Sequence, residues 1–344
     1  MVVRVGAIGV GGIGLIELHF LREVHEVEIV GSADVSPEAC ALFETEFEAP
    51  AYEDYHRLLD AHAHELDGVL IATPHTHHYE QAAACLEAGV DVLLEKPMVV
   101  DVDDAVSLVE IADRTGRTLQ IGYQRRFHPT FRTMKHIVDS GRIGAVHTAV
   151  CYIGQDWLTP HQGTWRVDPE LSGGGQLYDT GSHLLDAFLW ITGGTPETVS
   201  ATIEYATPQI DVNTALSVRL GRDGETTTAS LVVTGDGVTT DPREGYVFWG
   251  THGGLAYDGE ALVVEHKGAT SYTAKSGAAA SFDSATRAKV EHFVDRVAGR
   301  ADANESATDA VQVTALTEAA YRAADEGRTV DVQELLSTAE AAVT

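Results

Sequence analysis

Three side chains suited to acid–base chemistry stand out because of where they fall in the sequence. Lys96 comes directly after an apolar segment, within Glu95-Lys96-Pro97, and Asp179 and His183 follow the glycine cluster Gly173-Gly174-Gly175. Their spacing of four residues predicts that Asp179 and His183 share one face of a helix. Lysine, aspartate and histidine are residue types that bind ligands and transfer protons. The Asp and His are also consistent with a capped structural pair or with two metal ligands.

A second pattern lies at the N-terminus, where an apolar segment leads into Gly9-Val10-Gly11-Gly12-Ile13-Gly14 and then into leucines at helical spacing. In such a G-x-G-x-x-G turn, the first glycine permits the tight turn, the second lets the backbone approach a pyrophosphate, and the third packs helix against strand. Asp34 ends the next apolar segment, and an acid there can accept hydrogen bonds from an adenosine ribose. The alternative is an ordinary strand–turn–helix with an unrelated surface aspartate. The full context favours a dinucleotide-binding turn.

The elements that must position these residues change in character after residue 122. Residues 1–122 alternate apolar strands with helices, which predicts right-handed crossovers and a parallel sheet. Residues 123–344 contain short alternating segments between turn residues, which predicts an α+β domain with a large, mostly antiparallel open sheet. The predicted fold class is α/β, with an N-terminal Rossmann dinucleotide-binding domain and a C-terminal domain for substrate binding and oligomerisation. Because one face of that sheet needs a cover, we expect a homodimer or tetramer assembled through it.

Ligands of an open parallel sheet bind beyond the carboxyl ends of its strands. The glycine turn, Thr73-Pro74 and Glu95-Lys96-Pro97 all fall at such ends, so we expect Lys96 to point into a cleft between the domains. Taken alone, Lys96 is more simply explained as a surface lysine at a strand end. The nearby His75, His77 and His78 raise the question of zinc. No cysteine or acid is spaced to complete such a site, so no metal is predicted.

Composition indicates a globular protein of a reducing compartment. The chain has 344 residues, 44% of them hydrophobic, which is enough for two domains. No apolar stretch is long enough for a membrane span, and Met1 leads directly into a strand without room for a signal peptide. The three cysteines are scattered and do not suggest a disulfide framework. These features predict a cytoplasmic protein that does not associate with membranes.

The charge balance is strongly acidic, with 52 Asp and Glu against 23 Lys and Arg and a formal net charge of −29. Only five of the basic residues are lysines, and the acids are spread along the chain. This pattern is typical of cytoplasmic proteins of extreme halophiles, in which concentrated salt screens self-repulsion. A merely acidic mesophilic protein is the alternative. Nucleic acid is a poor partner for such a surface.

Taken together, the motifs resemble the Gfo/Idh/MocA family of nicotinamide-dependent oxidoreductases over nearly the whole chain. The resemblance lies in short motifs in the expected order: Gly9-x-Gly11-x-x-Gly14, Thr73-Pro74 with His78, Glu95-Lys96-Pro97, Arg125-Arg126-Phe127-His128-Pro129, Trp165-Arg166, Gly173-Gly174-Gly175, Asp179-x-x-x-His183 and Glu326-Gly327-Arg328-x-Val330. It implies an NAD(P)-dependent dehydrogenase that oxidises a secondary alcohol of a sugar, cyclitol or related polyol by hydride transfer, or catalyses the reverse reduction.

The resemblance also implies roles for individual residues. His183 would take the hydroxyl proton, Lys96 would hold the alcohol oxygen, and Asp179 would bind substrate and bias the other two electrostatically. His78 is expected near the nicotinamide. The pocket candidates, each equally consistent with packing or a structural ion pair, are Tyr123, Arg126, Trp165 and Arg166. The residues expected to hold the dinucleotide are Gly9, Gly11, Gly12, Ile13, Gly14, Asp34, Thr73, Pro74, His78, Glu95 and Lys96.

NAD is expected to be the preferred cofactor, with NADP as a second, weaker one. Asp34 would repel a 2′-phosphate, and the segment Ser32-Ala33-Asp34-Val35-Ser36 offers no arginine to receive it.

Two other functions are compatible with the same fold. An NAD-dependent glycosidase would use transient oxidation to labilise a glycosidic bond, but such proteins are expected to depart from the Asp179…His183 arrangement. A sugar-sensing regulator would bind nucleotide without turnover, and that role does not require Lys96, Asp179 and His183 together. Their joint presence favours the dehydrogenase.

The net charge generates a prediction about salt. Self-repulsion among acidic groups should destabilise the fold in dilute buffer, and molar KCl or NaCl should relieve it. We therefore expect the melting temperature, measured by thermal denaturation across salt concentrations, to rise towards molar salt. A melting temperature unchanged between low and molar salt would remove the halophile interpretation and leave the enzyme interpretation intact.

Overall fold

In the computed structural model, which describes residues 2–237, 243–268, 272–275, 281–302 and 307–343, the chain forms two sheets. The first has six parallel strands in the order β3-β2-β1-β4-β5-β6. These strands are β1 (Val3–Ile8), β2 (Val27–Ala33), β3 (Ala51–Tyr52), β4 (Gly68–Ile71), β5 (Asp91–Leu94) and β6 (Leu119–Ile121). The strand order reverses between β1 and β4, so a crevice opens at their carboxyl ends. The predicted Rossmann architecture is confirmed.

Five helices connect these strands, and local sequence determines where several of them begin and end. Ser36 Oγ accepts the amide of Ala39 at 3.2 Å, and the carboxylate of Asp101 accepts the amide of Asp103 at 2.8 Å. Such caps satisfy amides that the first helical turn leaves without partners. The helices are α1 (Gly12–Glu23), α2 (Pro37–Phe47), α3 (Tyr55–His62), α4 (His78–Glu87) and α5 (Val102–Thr115).

The second sheet contains nine strands in the order β14-β13-β12-β11-β7-β10-β9-β8-β15. Its neighbours are antiparallel except for β7 and β10, which are parallel. The strands are β7 (Val146–Gly154), β8 (Thr195–Thr207), β9 (Ile210–Arg222), β10 (Glu225–Thr234), β11 (Glu244–Gly250), β12 (Gly253–Tyr257), β13 (Ala261–His266), β14 (Tyr272–Lys275) and β15 (Val330–Asp331). The predicted open and mostly antiparallel sheet is therefore confirmed.

Helices cover one face of the second sheet. The remaining helices are α6 (Pro129–Asp139), α7 (Leu158–His161), α8 (Pro169–Ser172), α9 (Ser182–Thr192), α10 (Phe282–Val297), α11 (Ala307–Glu326) and α12 (Val332–Val343). Of these, α9 packs on β7, and α11 and α12 pack on β8. The same two C-terminal helices also contact α5 of the first sheet, which joins the two halves of the chain. Within the described residues, no helix has both the length and the apolarity needed to cross a bilayer.

Helix α10 departs from the simple division at residue 122. Although it follows the second sheet in sequence, its buried side chains Val290, Phe293 and Val294 join the core formed by α1 and the first sheet. A Cβ on Gly68 of β4 would lie 2.8 Å from the ring of Phe293, so glycine is needed for this contact. We accordingly propose that residue 122 separates the strands of the two sheets, and that α10 belongs to the first domain because it packs in the core of the first sheet.

The face of the second sheet opposite the helices is flat and uncharged at its centre. On the three central strands β11, β7 and β10, the described side chains that point outward include no charged group. Val150, Val232 and Trp249 lie on this outer face and are between 37% and 44% exposed. In a chain with a net charge of −29, a surface of this kind is unusual.

Candidate active site

A cavity of about 1340 Å³ opens at the carboxyl ends of the first sheet and extends towards the second. Pockets for drug-sized ligands are typically about 300 to 1,000 Å³, so this one has room for a dinucleotide together with a small molecule. One end is lined by the glycine turn and Asp34, and the other by Lys96, Arg166 and His183. The two groups of residues predicted from sequence therefore share one cavity.

The glycine turn has the geometry that a pyrophosphate requires. Gly9 has φ +83°, and a Cβ there would lie 2.6 Å from the carbonyl oxygen of Ala72. A Cβ on Gly14 would lie 2.2 Å from the carbonyl oxygen of Gly9. At Gly11 and Gly12, by contrast, no described atom lies within 4 Å of the Cβ position. Because α1 has no side-chain cap among the described residues, its first amides face open space where an anion fits.

Asp34 is held at the end of β2 beside this turn. One carboxylate oxygen accepts the amide of Val10 at 2.8 Å, and the other accepts the amide of Ser36 at 2.9 Å. The acids Glu53 and Asp54 line the same end of the cavity. The negative charge of this end suits the hydroxyls of a ribose and opposes an added phosphate.

Thr73 and Pro74 line the cavity, whereas His78 does not belong to its described wall. His78 is fully buried, with Nδ1 2.8 Å from the carbonyl oxygen of Pro97 and Nε2 3.0 Å from that of Thr73. Burial lowers the pKa of His78, although both carbonyls oppose that shift. The expected place of His78 near the nicotinamide stays a prediction, and its two carbonyl contacts indicate a supporting role. His78 ties the Thr73-Pro74 turn to the Glu95-Lys96-Pro97 turn from behind.

Lys96 lines the far end of the cavity and forms an ion pair with Asp179, which lies behind it, outside the described wall. Lys96 Nζ donates to Asp179 Oδ1 at 2.7 Å and to its carbonyl oxygen at 3.1 Å. Asp179 Oδ2 accepts Trp157 Nε1 at 2.8 Å and Arg166 Nε at 3.2 Å. Burial alone would raise the pKa of Asp179, but the positive charges of Lys96 and Arg166 hold it well below its usual range. Asp179 is therefore a permanent carboxylate.

His183 lies beside this pair and keeps its imidazole free of protein partners. Among the described residues, neither ring nitrogen makes a hydrogen bond, and Nδ1 is buried. The ring packs edge-on against Tyr123 with centroids 6.1 Å apart. Burial and the positive charges of Lys96 and Arg125 lower the pKa of His183 well below its usual value. His183 is consequently neutral near pH 7 and can accept a proton.

The backbone around Asp179 differs from the predicted continuous helix. Leu177–Gly181 forms a π turn, and α9 begins only at Ser182. A π turn closes i→i+5 hydrogen bonds, so the angular offset between Asp179 and His183 differs from that in an α-helix. A Cβ on Gly181 would meet Leu177 Cδ1 at 3.0 Å, so this glycine serves the packing of the turn.

Of the four pocket candidates, Trp165 and Arg166 line the cavity, and Tyr123 and Arg126 lie outside its described wall. Arg126 is buried in an ion pair with Asp186 of α9, at 2.6 Å, and with Asp309, at 2.8 Å. Both Tyr123 and Arg126 therefore support the site from behind it. The Arg166 guanidinium stacks on the ring of Trp165, 4.4 Å from its centroid.

Several residues of the site were missed by the sequence analysis. Arg125, not its neighbour Arg126, lines the cavity and is paired with Glu244 at 2.7 Å. His75 lines it as well, and its ring meets Trp165 edge-on at 4.8 Å. Trp157, which donates a hydrogen bond to Asp179, is a third residue that the sequence did not single out. An Arg-Arg pair and isolated aromatic residues carry no signal that distinguishes the wall of a pocket from the core.

A buried cluster of charges lies behind Glu95. Lys289 of α10 is bonded to both Glu17 of α1 and Glu95, and all three side chains are almost completely buried. Burial raises the pKa of Glu17 to about 8, against the opposing charge of Lys289. Burial alone would also raise the pKa of Glu95, but Lys289 and Lys96 lower it. Burial thus favours the neutral form of Glu17, whereas the two lysines favour the ionised form of Glu95.

Two models of one protein family match the chain. A model described as an oxidoreductase family with an NAD-binding Rossmann fold matches residues 3–123, and a model of the GFO/IDH/MocA C-terminal domain matches residues 131–256. The chain belongs to the GFO/IDH/MocA family. It is accordingly an NAD(P)-dependent oxidoreductase, which agrees with the open glycine turn and the ribose-compatible Asp34. The bound nicotinamide supplies the hydride acceptor, and the protein supplies the groups around it.

Individual members of the family resemble the chain to different extents. The rhizopine catabolism protein MocA of Rhizobium meliloti is 28% identical over 332 residues, 92% of this chain and 93% of that protein. Inositol 2-dehydrogenase 2 of Saccharopolyspora erythraea is 33% identical over 212 residues, but the match spans only 57% of that protein. A levoglucosan dehydrogenase in complex with NADH and levoglucosan has a TM-score of 0.84 at 20% identity, covering 96% of this chain and 100% of that one, which demonstrates the shared fold.

The geometry of Asp34 generates a prediction about cofactor choice. Because a 2′-phosphate would meet the Asp34 carboxylate, we expect NADH to bind at least about tenfold more tightly than NADPH. Asp34→Ser should narrow that ratio, and the control Glu53→Gln, at the same end of the cavity, should change it less. Dissociation constants from nucleotide fluorescence measure this without any substrate. Tighter binding of NADPH by the wild-type protein would contradict the assignment.

Proposed function

We propose that the protein oxidises a secondary alcohol of a sugar, cyclitol or related polyol with NAD, or reduces the corresponding ketone. The observation that carries this proposal is that His183, which has no described hydrogen-bond partner, lines the same cavity as the dinucleotide turn and Lys96, whose ammonium is paired with Asp179 behind the wall. The names of relatives support the substrate class, since they include an inositol 2-dehydrogenase and a levoglucosan dehydrogenase.

The residues of this group divide the chemistry between them. When the alcohol is oxidised, its hydroxyl proton passes to a nitrogen of His183, and its carbon-bound hydrogen leaves as hydride. Lys96 Nζ, one of whose protons is free of Asp179, donates to the substrate oxygen and stabilises its developing negative charge. Asp179 keeps the ammonium oriented, and Trp157 and Arg166 keep Asp179 from rotating. Because the pKa of His183 is lowered, the base is in its active neutral form at neutral pH.

Polar side chains farther along the cavity wall fit a polyhydroxylated substrate. Gln155 Nε2 donates to Thr180 Oγ1 at 2.7 Å, and both residues line the cavity together with Arg166. These groups supply hydrogen-bond donors and acceptors to hydroxyls adjacent to the reacting carbon. The ring of Trp165 supplies an apolar surface for the carbon skeleton.

Variants of the central residues test the proposed chemistry. His183→Ala should lower kcat by about 10²-fold or more, the usual scale for loss of a positioned base. Lys96→Ala should also lower kcat, because the developing alkoxide loses its charged donor. The controls are His147→Ala and Lys135→Ala, which lie outside the described wall of the cavity and should retain activity. Steady-state kinetics across a polyol panel in high salt, with NAD titrations of the folded variants, make the measurement.

Two outcomes would count against the proposal. Near-wild-type kcat in His183→Ala would show that the base lies elsewhere. Cofactor binding without turnover of any polyol would replace the dehydrogenase with a regulator that senses sugar and nucleotide.

We further propose that the uncharged outer face of the second sheet mediates self-association as a dimer or tetramer. Val150, Val232 and Trp249 would be covered there by a second copy. Trp249→Glu should therefore shift the mass measured by light scattering towards the monomer, because it places a charge in the interface. Leu42→Glu, at a similarly exposed apolar residue on α2, is the control that should leave the mass unchanged. A monomeric wild-type protein would contradict this proposal.

A further inference from the structure

A buried carboxylate outside the cavity holds the backbone from which Asp179 projects. Asp211 lies on β9, is completely buried, and is not among the described residues that line the cavity. Its Oδ1 accepts the amide of Gly175 at 2.7 Å, and its Oδ2 accepts the amide of Leu177 at 2.8 Å. Tyr321 of α11 donates its hydroxyl to the same Oδ1. Three donors from two segments therefore converge on one side chain.

The glycine cluster permits this contact because its residues have no side chains. A Cβ on Gly175 would lie 2.1 Å from the carbonyl oxygen of Asp211. A Cβ on Gly174 would lie 2.5 Å from the ring of Tyr178 and 2.8 Å from the hydroxyl of Tyr321. A side chain at Gly175 or Gly174 would therefore collide with β9 or α11. Glycine at both positions lets these two elements approach the start of the turn.

The contact matters because the turn that it supports is a π turn. Single π turns are rare within helices and are found mostly at functional sites, which indicates that neighbouring groups must stabilise them. Leu177, whose amide Asp211 binds, begins the turn two residues before Asp179. Two further hydrogen bonds hold the backbone of Asp179. Its amide donates to the carbonyl oxygen of Gly175 at 3.2 Å, and its carbonyl oxygen accepts Ser182 Oγ at 3.0 Å.

We propose that Asp211, assisted by Tyr321, is a positioning residue for the dehydrogenase reaction. It fixes the π turn so that the Asp179 carboxylate meets Lys96, Trp157 and Arg166 at the distances observed. This inference rests on the proposed polyol dehydrogenase function. It adds to that function a residue that touches neither substrate nor dinucleotide but determines where the ammonium of Lys96 points.

Asp211→Asn is the most direct test. The variant keeps the size of the side chain but places an amide group against one of the two backbone amides, so the turn must shift. Displacement of catalytic groups by about 1 Å can cost about 10²-fold in rate, and we expect kcat to fall at least about tenfold. The dissociation constant for NAD should change by less than about threefold, because the glycine turn belongs to the first sheet and Asp211 to the second. Tyr321→Phe should have a smaller effect in the same direction.

A matched control separates positioning from general loss of stability. Thr317 lies on α11 one turn before Tyr321, is buried, and bonds only to the carbonyl of Val313 at 2.8 Å among the contacts described for its hydroxyl. Thr317→Val should lower the melting temperature without a comparable loss of kcat. If Asp211→Asn fails to fold, the kcat values of Tyr321→Phe and Thr317→Val are compared in its place.

A second measurement does not depend on activity. The indole N–H of Trp157 is bonded to Asp179, so its NMR resonance, assigned with Trp157→Phe, reports the position of that carboxylate. We expect this resonance to move in Asp211→Asn and Tyr321→Phe and to stay in place in Thr317→Val. An unmoved resonance, or a loss of kcat no greater than in the control, would overturn the inference. Absence of turnover in the wild-type protein would instead overturn the proposed function, while the resonance would still test the positioning.

Discussion

The site depends on keeping a buried carboxylate paired with a partly buried ammonium across the junction between the two sheets. Lys96 ends a strand of the first sheet, and Asp179 belongs to a turn packed on the second. Removing both charges from water is costly, and the pairing compensates only when the remaining lone pairs are also satisfied. Trp157 and Arg166 satisfy them on one side of Asp179. The ion pair therefore links the two sheets directly at the candidate site.

A second buried lysine extends this constraint to the dinucleotide helix. Lys289 joins Glu17 of α1 to Glu95, the residue immediately before Lys96. Its own backbone carbonyl accepts Gln120 Nε2 of β6 at 3.0 Å. The helix α1, which follows the glycine turn, and the strand end that carries Lys96 are thus held by one side chain from α10. Lys289 therefore supports both α1 at the dinucleotide end of the cavity and the orientation of Lys96 at the other end.

Much of the fold could be predicted from sequence because periodicity and turn residues are local signals. The alternation of strand and helix before residue 122 and the G-x-G-x-x-G turn determine a Rossmann topology almost without reference to the rest of the chain. The structure also brings Lys96 to Asp179, with His183 in the same cavity. Their individual roles stay predictions, since side-chain placement alone does not measure a rate.

The features that sequence did not reveal depend on contacts between distant segments. The π turn around Asp179 has the same residue pattern as an α-helix, and its contact with Asp211 of β9 joins residues more than thirty positions apart, which no local pattern reveals. Arg125 and Arg126 are adjacent and chemically identical, yet one faces the cavity and the other faces Asp186. The family resemblance placed His78 near the nicotinamide, and it gave no sign that both ring nitrogens face backbone carbonyls.

The packing of α10 into the first sheet has a consequence for how the molecule is synthesised. The dinucleotide-binding sheet is complete in sequence by Ile121, but Phe293 and Val294 fill its core beside Gly68. During synthesis on the ribosome, one apolar face of the first sheet therefore stays uncovered until about 170 further residues have been added to the chain. The second sheet can form during that interval. The segment that appears first in the polypeptide is thus among the last to reach its final packing, and a fragment ending near residue 122 would expose that face to solvent.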